Sequence, residues 1–415
     1  MDQPQRVVVT GIGLLSPLGA DEASLRERLF AGRSAIGPLR SLDASAYRSR
    51  HAAEVDPALL AAALTEAKLR PGDRTTDMAM LTAGAALAQA GLLPTAPGSD
   101  GKDTAVLFGT GSGPSHALQE SWDAWVANGG RGLRPTTVPR CMLNVVSSAV
   151  SIRFGLEGSN YTLVSACSSS TIAIGAAYRM VRHGYARRVL CGGSESMFTP
   201  ALYASWDCLG VMSRAAEAER ACRPFDLDRD GFVLGEGAGA LVLESLDEAR
   251  RRGATIRAEV LGFGESSDGT HITRPSVDGQ AAAMRSALQS AGLGPAAIDF
   301  VSAHGTATKA NDACEAEAIR RVFAAEADRV PVLSTKSYFG HLLGAAGVVE
   351  TIAAIACLDA GRLHANLNLD RPDPACEIRT AGVSALAVPL RTFMKNSFGF
   401  GGSNSTLIVR KYEER

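Results

Sequence analysis

The sequence predicts an α/β protein written twice, with buried sheets covered by helices in each of two halves. Three observations predict it. Residues 86–94 read ALAQAGLLP and residues 287–295 read ALQSAGLGP. Each closes an Ala-rich segment of helical periodicity at a glycine suited to a helix C-terminus. Each is followed by a short apolar strand and a tight glycine turn, TAVLFGTG at 104–111 and DFVSAHGT at 299–306. A weaker echo pairs RRVLCGGSE (187–195) and AGALVLE (238–244) with FMKNSFGFGG (393–402) and STLIVRK (405–411). Apolar runs of strand length alternating with helices imply sheets covered by helices. The halves divide near residue 250, into 1–250 and 251–415, with no Pro- or Ser-rich linker between them. One interface and one shared site are therefore expected. Loops are expected at 94–102 and 265–280, both rich in Gly, Ser, Pro and Asp.

Charge and composition exclude several classes. The 415 residues carry 42 Lys and Arg against 43 Asp and Glu, a net charge of −1. That balance argues against broad adhesion to nucleic acid or membrane, so a charged partner must meet a local patch. A chain this long needs neither disulfide nor metal for stability. Its cysteines, at 141, 167, 191, 208, 222, 314, 357 and 376, form no CxxC pair and no Cys/His cluster of zinc spacing. The start, MDQPQRVVVTGIG, lacks the regions of a signal peptide. No stretch approaches about 18 uninterrupted apolar residues. A cytoplasmic protein without metal is expected. Neither a strand–helix GxGxxG nor GxxxxGK[ST] occurs, which speaks against nucleotide binding. Only six of the basic residues are lysines, so each lysine is worth asking about.

Four segments carry candidate chemistry. In YTLVSACSSSTIAIGAAYRMV (161–181) an apolar strand meets a helix within the serine run, and Cys167 sits at the junction. Unsatisfied N–H groups and the helix dipole favour a thiolate there, so the thiol pKa is expected to fall. The same N–H groups suit an oxyanion. The other seven cysteines read as small buried hydrophobes. In VSAHGTATKANDACEAEAI (301–319), His304 lies at a strand end, where α/β sites gather. Thr306 and Thr308 alternate along an extended segment, as bonding to an amide-bearing ligand would require; the lesser alternative is a turn capped by His and Thr. Asp312 and Glu315, three apart, share a helix face and by default form a solvated pair. In VPVLSTKSYFGHLLGAAGVVETI (331–353), a strand ends at Lys336, and His341 precedes a helix whose residues 344–347 are small enough for close packing. A helix start favours the neutral imidazole, able to donate to a developing oxyanion. In NSFGFGGSNSTLIV (396–409), glycines alternate with Phe398 and Phe400, as an aromatic gate or backbone donor would require.

In this order and spacing these segments resemble the β-ketoacyl-acyl-carrier-protein synthases, the elongating condensing enzymes of fatty acid and polyketide synthesis. The likeness runs along nearly the whole chain. It takes in RVVVTGIGLLSPLG (6–19), GTGSGP (109–114), VPRCMLNVVSSAVSIRFGLEGSNYTLVSACSSS (138–170), GGSESM (192–197), RPFDLDRDGFVLGEGAGALVLE (223–244) and SSDGTHITRPSVDG (266–279). The resemblance implies a thiolase-like fold of five layers, αβαβα, usually dimeric. It implies a catalytic Cys167, His304 and His341, with Lys336 as the site lysine and Glu315 as a buried glutamate. Thr306 and Thr308 match contacts to the phosphopantetheine arm. Phe400 matches a gate whose N–H joins that of Cys167 in an oxyanion hole. No cofactor is implied, because the substrates ride on the phosphopantetheine of acyl-carrier protein.

An acidic carrier protein calls for a basic patch, with Lys68, Arg70, Arg74, Arg131 and Arg134 as candidates. Lys309, Tyr338 and Phe339 depart from the family pattern and are expected to reshape the approaches to the site. SACSSS differs from the TGC-type nucleophile segment of aromatic polyketide synthases, which leans the expected product towards fatty-acid-like or reduced, polyene-type chains. Three rivals stand beside this reading. A biosynthetic thiolase would want a second reactive Cys in the C-terminal region, which here reads NSFGFGG. A chain-length-factor-like partner subunit would lack the nucleophile. A non-catalytic acyl-carrier-binding scaffold would not need the full Cys-His-His set. Homodimer and heterodimer with a chain-length-factor-like subunit both stay open, and acyl pocket residues are expected within 105–115, 138–150 and 198–212.

Overall fold

A computed structural model of the chain describes residues 4–93, 101–381 and 389–414. Most of the loop expected at 94–102 lies outside them. Ten described strands form one sheet: β1 (Val7–Leu15), β2 (Ala105–Gly109), β3 (Asn160–Leu163), β4 (Arg188–Glu195), β5 (Gly237–Ser245), β6 (Ala258–Ser267), β7 (Phe300–Ser302), β8 (Val332–Leu333), β9 (Thr392–Gly399) and β10 (Ser403–Lys411). The helices that matter to the site are α1 (Arg74–Gln89), α2 (Val145–Phe154), α3 (Ser169–Arg182), α4 (Val277–Ala291), α5 (Lys309–Phe323) and α6 (Ala346–Ala360).

The strand order across the sheet is β8-β7-β9-β10-β6-β1-β5-β4-β2-β3. Outward from the centre, the first half therefore runs first, fifth, fourth, second and third strand. The second half runs in the same order. In both, the fourth and fifth strands pair antiparallel, while the second is parallel to its neighbours on either side. The halves join where Val7–Val9 of β1 pair with Ala258–Val260 of β6. The glycines read as helix stops do that work, with Gly91 at φ +68° after α1 and Gly292 at φ +64° after α4. At the other end, Asp73 caps α1 by accepting from Thr75 and Thr76 N–H, and Ser276 caps α4.

Helices α3 and α6 lie between the halves. A single apolar cluster takes Ile174 and Val181 from α3, Val348 and Ile352 from α6, Val9 from β1 and Phe393 from β9. Such a core explains why no linker separates the halves. Helix α6 is apolar on all its faces apart from Glu350, Thr351 and, near its end, Asp359, as suits a helix buried on all sides. The stretch Leu343–Ala360 is long and apolar enough to cross a membrane, yet 89% of it is buried inside the protein. It is a core helix. The close packing expected of 344–347 is present: a Cβ on Gly347 would lie 2.1 Å from Thr171 Oγ1 of α3.

Candidate active site

Two equivalent turns build the site. Ala166–Ser168 form a tight turn that leads into α3, and Leu343–Ala345 form one that leads into α6. The first residue of each is held at φ +48°, a left-handed conformation that costs a non-glycine residue free energy. In the first half the second residue of the turn is Cys167; in the second half it is Gly344. The serine run locks the first turn instead of capping α3. Ser168 Oγ donates to Ser165 O at 2.7 Å, Ser169 Oγ donates to Ala166 O at 2.7 Å, and Ser169 Oγ accepts from Ser165 N–H at 2.8 Å.

Cys167, His304 and His341 come together, their ligating atoms all within 4.8 Å of one another. The two imidazoles meet edge to face with ring centroids 5.3 Å apart. Phe232 sets the His341 ring from one side and Phe398 the His304 ring from another. His341 Nδ1 accepts from Leu343 N–H at 3.2 Å. Nδ1 is thereby the acceptor, so the ring proton sits on Nε2, which is buried and unpaired. His304 Nδ1 is also buried and unpaired. Unpaired buried donors at a cavity are costly unless a ligand takes them up.

Burial, more than the helix dipole, sets the protonation states. It holds both imidazoles well below their ordinary pKa, helped by the positive charges of Lys336 and Lys395. The expected fall of the Cys167 pKa is reversed: burial pushes the thiol up to about 12, against the pull of Lys336 and of a hydrogen bond from Phe400 N–H. The resting site is a thiol facing two neutral imidazoles. Alkylation of Cys167 by iodoacetamide is accordingly expected to quicken about tenfold per pH unit between pH 6 and 9, because only the thiolate reacts. A rate already flat above pH 7 would reveal a resting thiolate and contradict this.

Behind the imidazoles lies a charged cluster. Lys336 opens a short helix, Lys336–Phe339, because β8 stops at Leu333 and does not run on to Lys336 as expected. Its ammonium does not touch the His304 ring. It donates to His304 O at 2.6 Å and to Glu350 Oε1 of α6 at 2.5 Å. Glu315 accepts from His304 N–H and Gly305 N–H, both at 2.8 Å, and from Asn396 Nδ2 at 3.2 Å. The solvated pair expected of Asp312 and Glu315 does not form, since both are fully buried. Asp312 accepts from Phe225 N–H and faces Arg229.

A cavity opens above Cys167, lined by Trp206, Phe232, Thr306, Thr308 and Phe400 among others. Thr306 and Thr308 hydroxyls lie 2.8 Å apart, and Thr308 also caps α5 by accepting from Asn311 N–H. The capped-turn reading and the ligand reading thus describe the same residues. The Phe400 ring stacks on Trp206, centroids 6.0 Å apart. Of the three segments expected to line an acyl pocket, only 198–212 reaches this cavity, through Trp206 and Val211. Tyr338 and Phe339 do not shape its approach; both are wholly buried in the core, with Tyr338 Oη donating to Ala365 O. Arg74 drops out of the basic patch, because it is bound to buried Glu236 and Val55 O. Lys68, Arg70, Arg131 and Arg134 are exposed, with Arg134 near Glu120.

The fold is thiolase-like, and its site sets one thiol against two imidazoles. The Beta-ketoacyl synthase N-terminal domain model matches residues 4–249 and its C-terminal domain model residues 257–370. The chain belongs to the β-ketoacyl synthase family. It is 38% identical, over 99% of both chains, to 3-oxoacyl-[acyl-carrier-protein] synthase 2 of Coxiella burnetii (strain RSA 493 / Nine Mile phase I). Among solved structures it resembles the ishigamide ketosynthase/chain length factor, with TM-score 0.90 and 32% identity over 99% of this chain and 100% of that one. It also resembles a type II PKS ketosynthase solved with its acyl-carrier protein and a hexaketide, with TM-score 0.90 and 27% identity over 99% and 100%.

Sequence reasoning missed Glu350, Lys395 and Trp206. Glu350 hides in an apolar helix and Trp206 in a segment without a motif. The rarity of lysine was the available signal for Lys395.

Proposed function

We propose that the chain is a β-ketoacyl-acyl-carrier-protein synthase that holds an acyl group on Cys167 and extends it with malonyl-acyl-carrier protein. The observation that carries this reading is the meeting of one thiol and two neutral imidazoles at the floor of one cavity. In the first half-reaction Cys167 sulfur attacks the acyl thioester. Its proton passes to the departing pantetheine sulfur, and the oxyanion rests on the N–H groups of Cys167 and Phe400. Losing one such donor typically costs about 3–4 kcal/mol. In the second, malonyl-acyl-carrier protein enters with its pantetheine arm along Thr306 and Thr308. His341 Nε2–H and His304 donate to the thioester oxygen while the carbon–carboxylate bond breaks and carbon dioxide leaves. The enolate carbon attacks the acyl-Cys167 carbonyl. The tetrahedral intermediate expels Cys167 sulfur, which recovers a proton from solvent. Glu315 and Lys336 fix the backbone of His304 from opposite sides and so orient its ring. The gate is Phe400, braced by Trp206.

No resident metal is part of the proposal, because two ammoniums behind the imidazoles repel a divalent cation. The SACSSS segment and the apolar walls of the cavity support a fatty-acid-like or reduced, polyene-type product. Eight unpaired thiols suit a reducing, cytoplasmic setting. The acyl-carrier-protein complex of a similar ketosynthase supports a carrier partner. The strand β3, at the sheet edge among the described residues, with exposed Tyr161 and exposed Val164 just after it, beside exposed Met142, Leu143 and Ile152, supports a dimer. The partner is a second copy or a chain-length-factor-like subunit. A non-catalytic partner role for this chain itself is disfavoured by the assembled Cys-His-His set.

The test is condensation. Acyl-carrier protein charged with an acyl chain, mixed with malonyl-acyl-carrier protein and the purified protein, is expected to yield carbon dioxide and a β-ketoacyl product two carbons longer. Intact substrates after prolonged incubation across carrier proteins and acyl lengths would refute the assignment.

A further inference from the structure

Lys395 enters none of the steps above, yet it is one of only six lysines and is wholly buried. It sits on β9, register-paired with Ser302 of β7 and Leu407 of β10, strands whose residues have no use for a charge. A lysine in that position loses its hydration and must be matched by something. What it meets is Glu350. Lys395 Nζ lies 2.8 Å from Glu350 Oε2, while Lys336 Nζ holds Oε1 of the same carboxylate at 2.5 Å. The first contact is an ion pair, and the same ammonium also donates to Asn396 O and to Ser397 Oγ. The other carboxylate nearby, Glu315, accepts from His304 N–H, Gly305 N–H, Asn311 Nδ2 and Asn396 Nδ2 and forms an ion pair with neither lysine. Glu195 is occupied by Thr110, Gly111, Ser112 and Gly344. Two ammoniums therefore share one paired carboxylate directly behind the two histidines.

We propose that Lys395 is a positioning residue of the condensation site: the ammonium that Glu350 cannot neutralise keeps His304 and His341 neutral at acidic pH, so both remain able to donate to the thioester oxygen. The inference rests on the ketosynthase reading of these histidines. A like charge disfavours protonation of an imidazole, and the effect is strong where water is absent. Lys336 weighs more than Lys395 on both imidazoles, and Lys395 adds a second positive charge that the one shared carboxylate leaves in excess. The sign follows: removing the Lys395 charge raises the imidazole pKa values, and the acid limb of activity moves to higher pH. Burial and the charge of Lys336 also depress Lys395 itself, while Glu350 and Glu315 support its charged form.

The test is the pH profile of kcat/KM for condensation in the wild type and in Lys395→Met, which keeps the length of the side chain and leaves Lys336 paired with Glu350. The acid limb is expected to move up by about one pH unit, a loss of about tenfold below the limb with little change above pH 8. Lys395→Arg is expected to restore the wild-type limb. An equal fractional loss at every pH would show a merely structural lysine, and an unmoved profile would show that its charge does not reach the histidines. Either overturns the proposal. NMR titration of the His304 and His341 ring protons in the same proteins gives the second readout. Neutral rings in the wild type with a raised pKa in Lys395→Met support the proposal; identical titrations contradict it. If the wild type fails to condense, the ketosynthase reading falls, whereas the NMR titration still decides the role of Lys395.

Discussion

Cys167→Ala is expected to abolish acyl loading and to lower condensation by at least about 10⁴-fold, since no other thiol among the described residues lines the cavity. The fold is expected to persist. Removing one buried sulfur leaves a small void worth about 1 kcal/mol, and the serine hydrogen bonds that shape the turn do not involve the thiol. Decarboxylation of malonyl-acyl-carrier protein should survive, because the proposed mechanism gives enolate stabilisation to His304 and His341 and not to the sulfur. His341→Ala should lose both activities. The pair of variants thus separates the two half-reactions. Condensation in Cys167→Ala within tenfold of the wild type would contradict the assignment of the nucleophile.

The largest structural effect is expected at Glu350, a residue that touches no substrate. Both of its carboxylate oxygens face an ammonium, and Glu350, Lys336 and Lys395 have side chains at most 1% exposed. Truncating one member of a buried ion pair costs about 3–5 kcal/mol, because the partner charge is left without hydration or counterion. Glu350→Ala strands two ammoniums and is expected to lie at the top of that range, read as a fall in the denaturant midpoint of unfolding. Adding Lys395→Met should recover part of the loss, since the double variant strands one charge and not two, and groups in one network are not additive. A midpoint unchanged in Glu350→Ala would mean that the lysines are uncharged in the folded protein.

Much of this was legible in the sequence, for identifiable reasons. The duplication showed at 86–94 and 287–295 because both copies need a left-handed glycine at the same helix stop, here Gly91 and Gly292. Cys167, His304 and His341 showed because each stands at a strand end or a helix start, places that local patterning marks. Burial was not legible. Asp312 and Glu315 sit three apart on α5, a spacing that fits a solvated face equally well, and only tertiary packing makes them interior, with α4 along the helix, Phe225 and Arg229 at Asp312, and Asn396 of β9 at Glu315. Burial likewise overrides the helix start in setting the Cys167 thiol pKa. Tyr338 and Phe339 lie three and two residues before His341, yet their side chains turn into the core. The joining of Lys336, Glu350 and Lys395 spans three elements, and no spacing along the chain encodes it.

The most direct measurement is mass spectrometry of the Cys167 peptide after incubation with acyl-acyl-carrier protein. A peptide heavier by the acyl group in the wild type, discharged when malonyl-acyl-carrier protein is added, is the predicted result. An unmodified Cys167 peptide, or the same acyl adduct surviving elsewhere on the chain in Cys167→Ala, would contradict it.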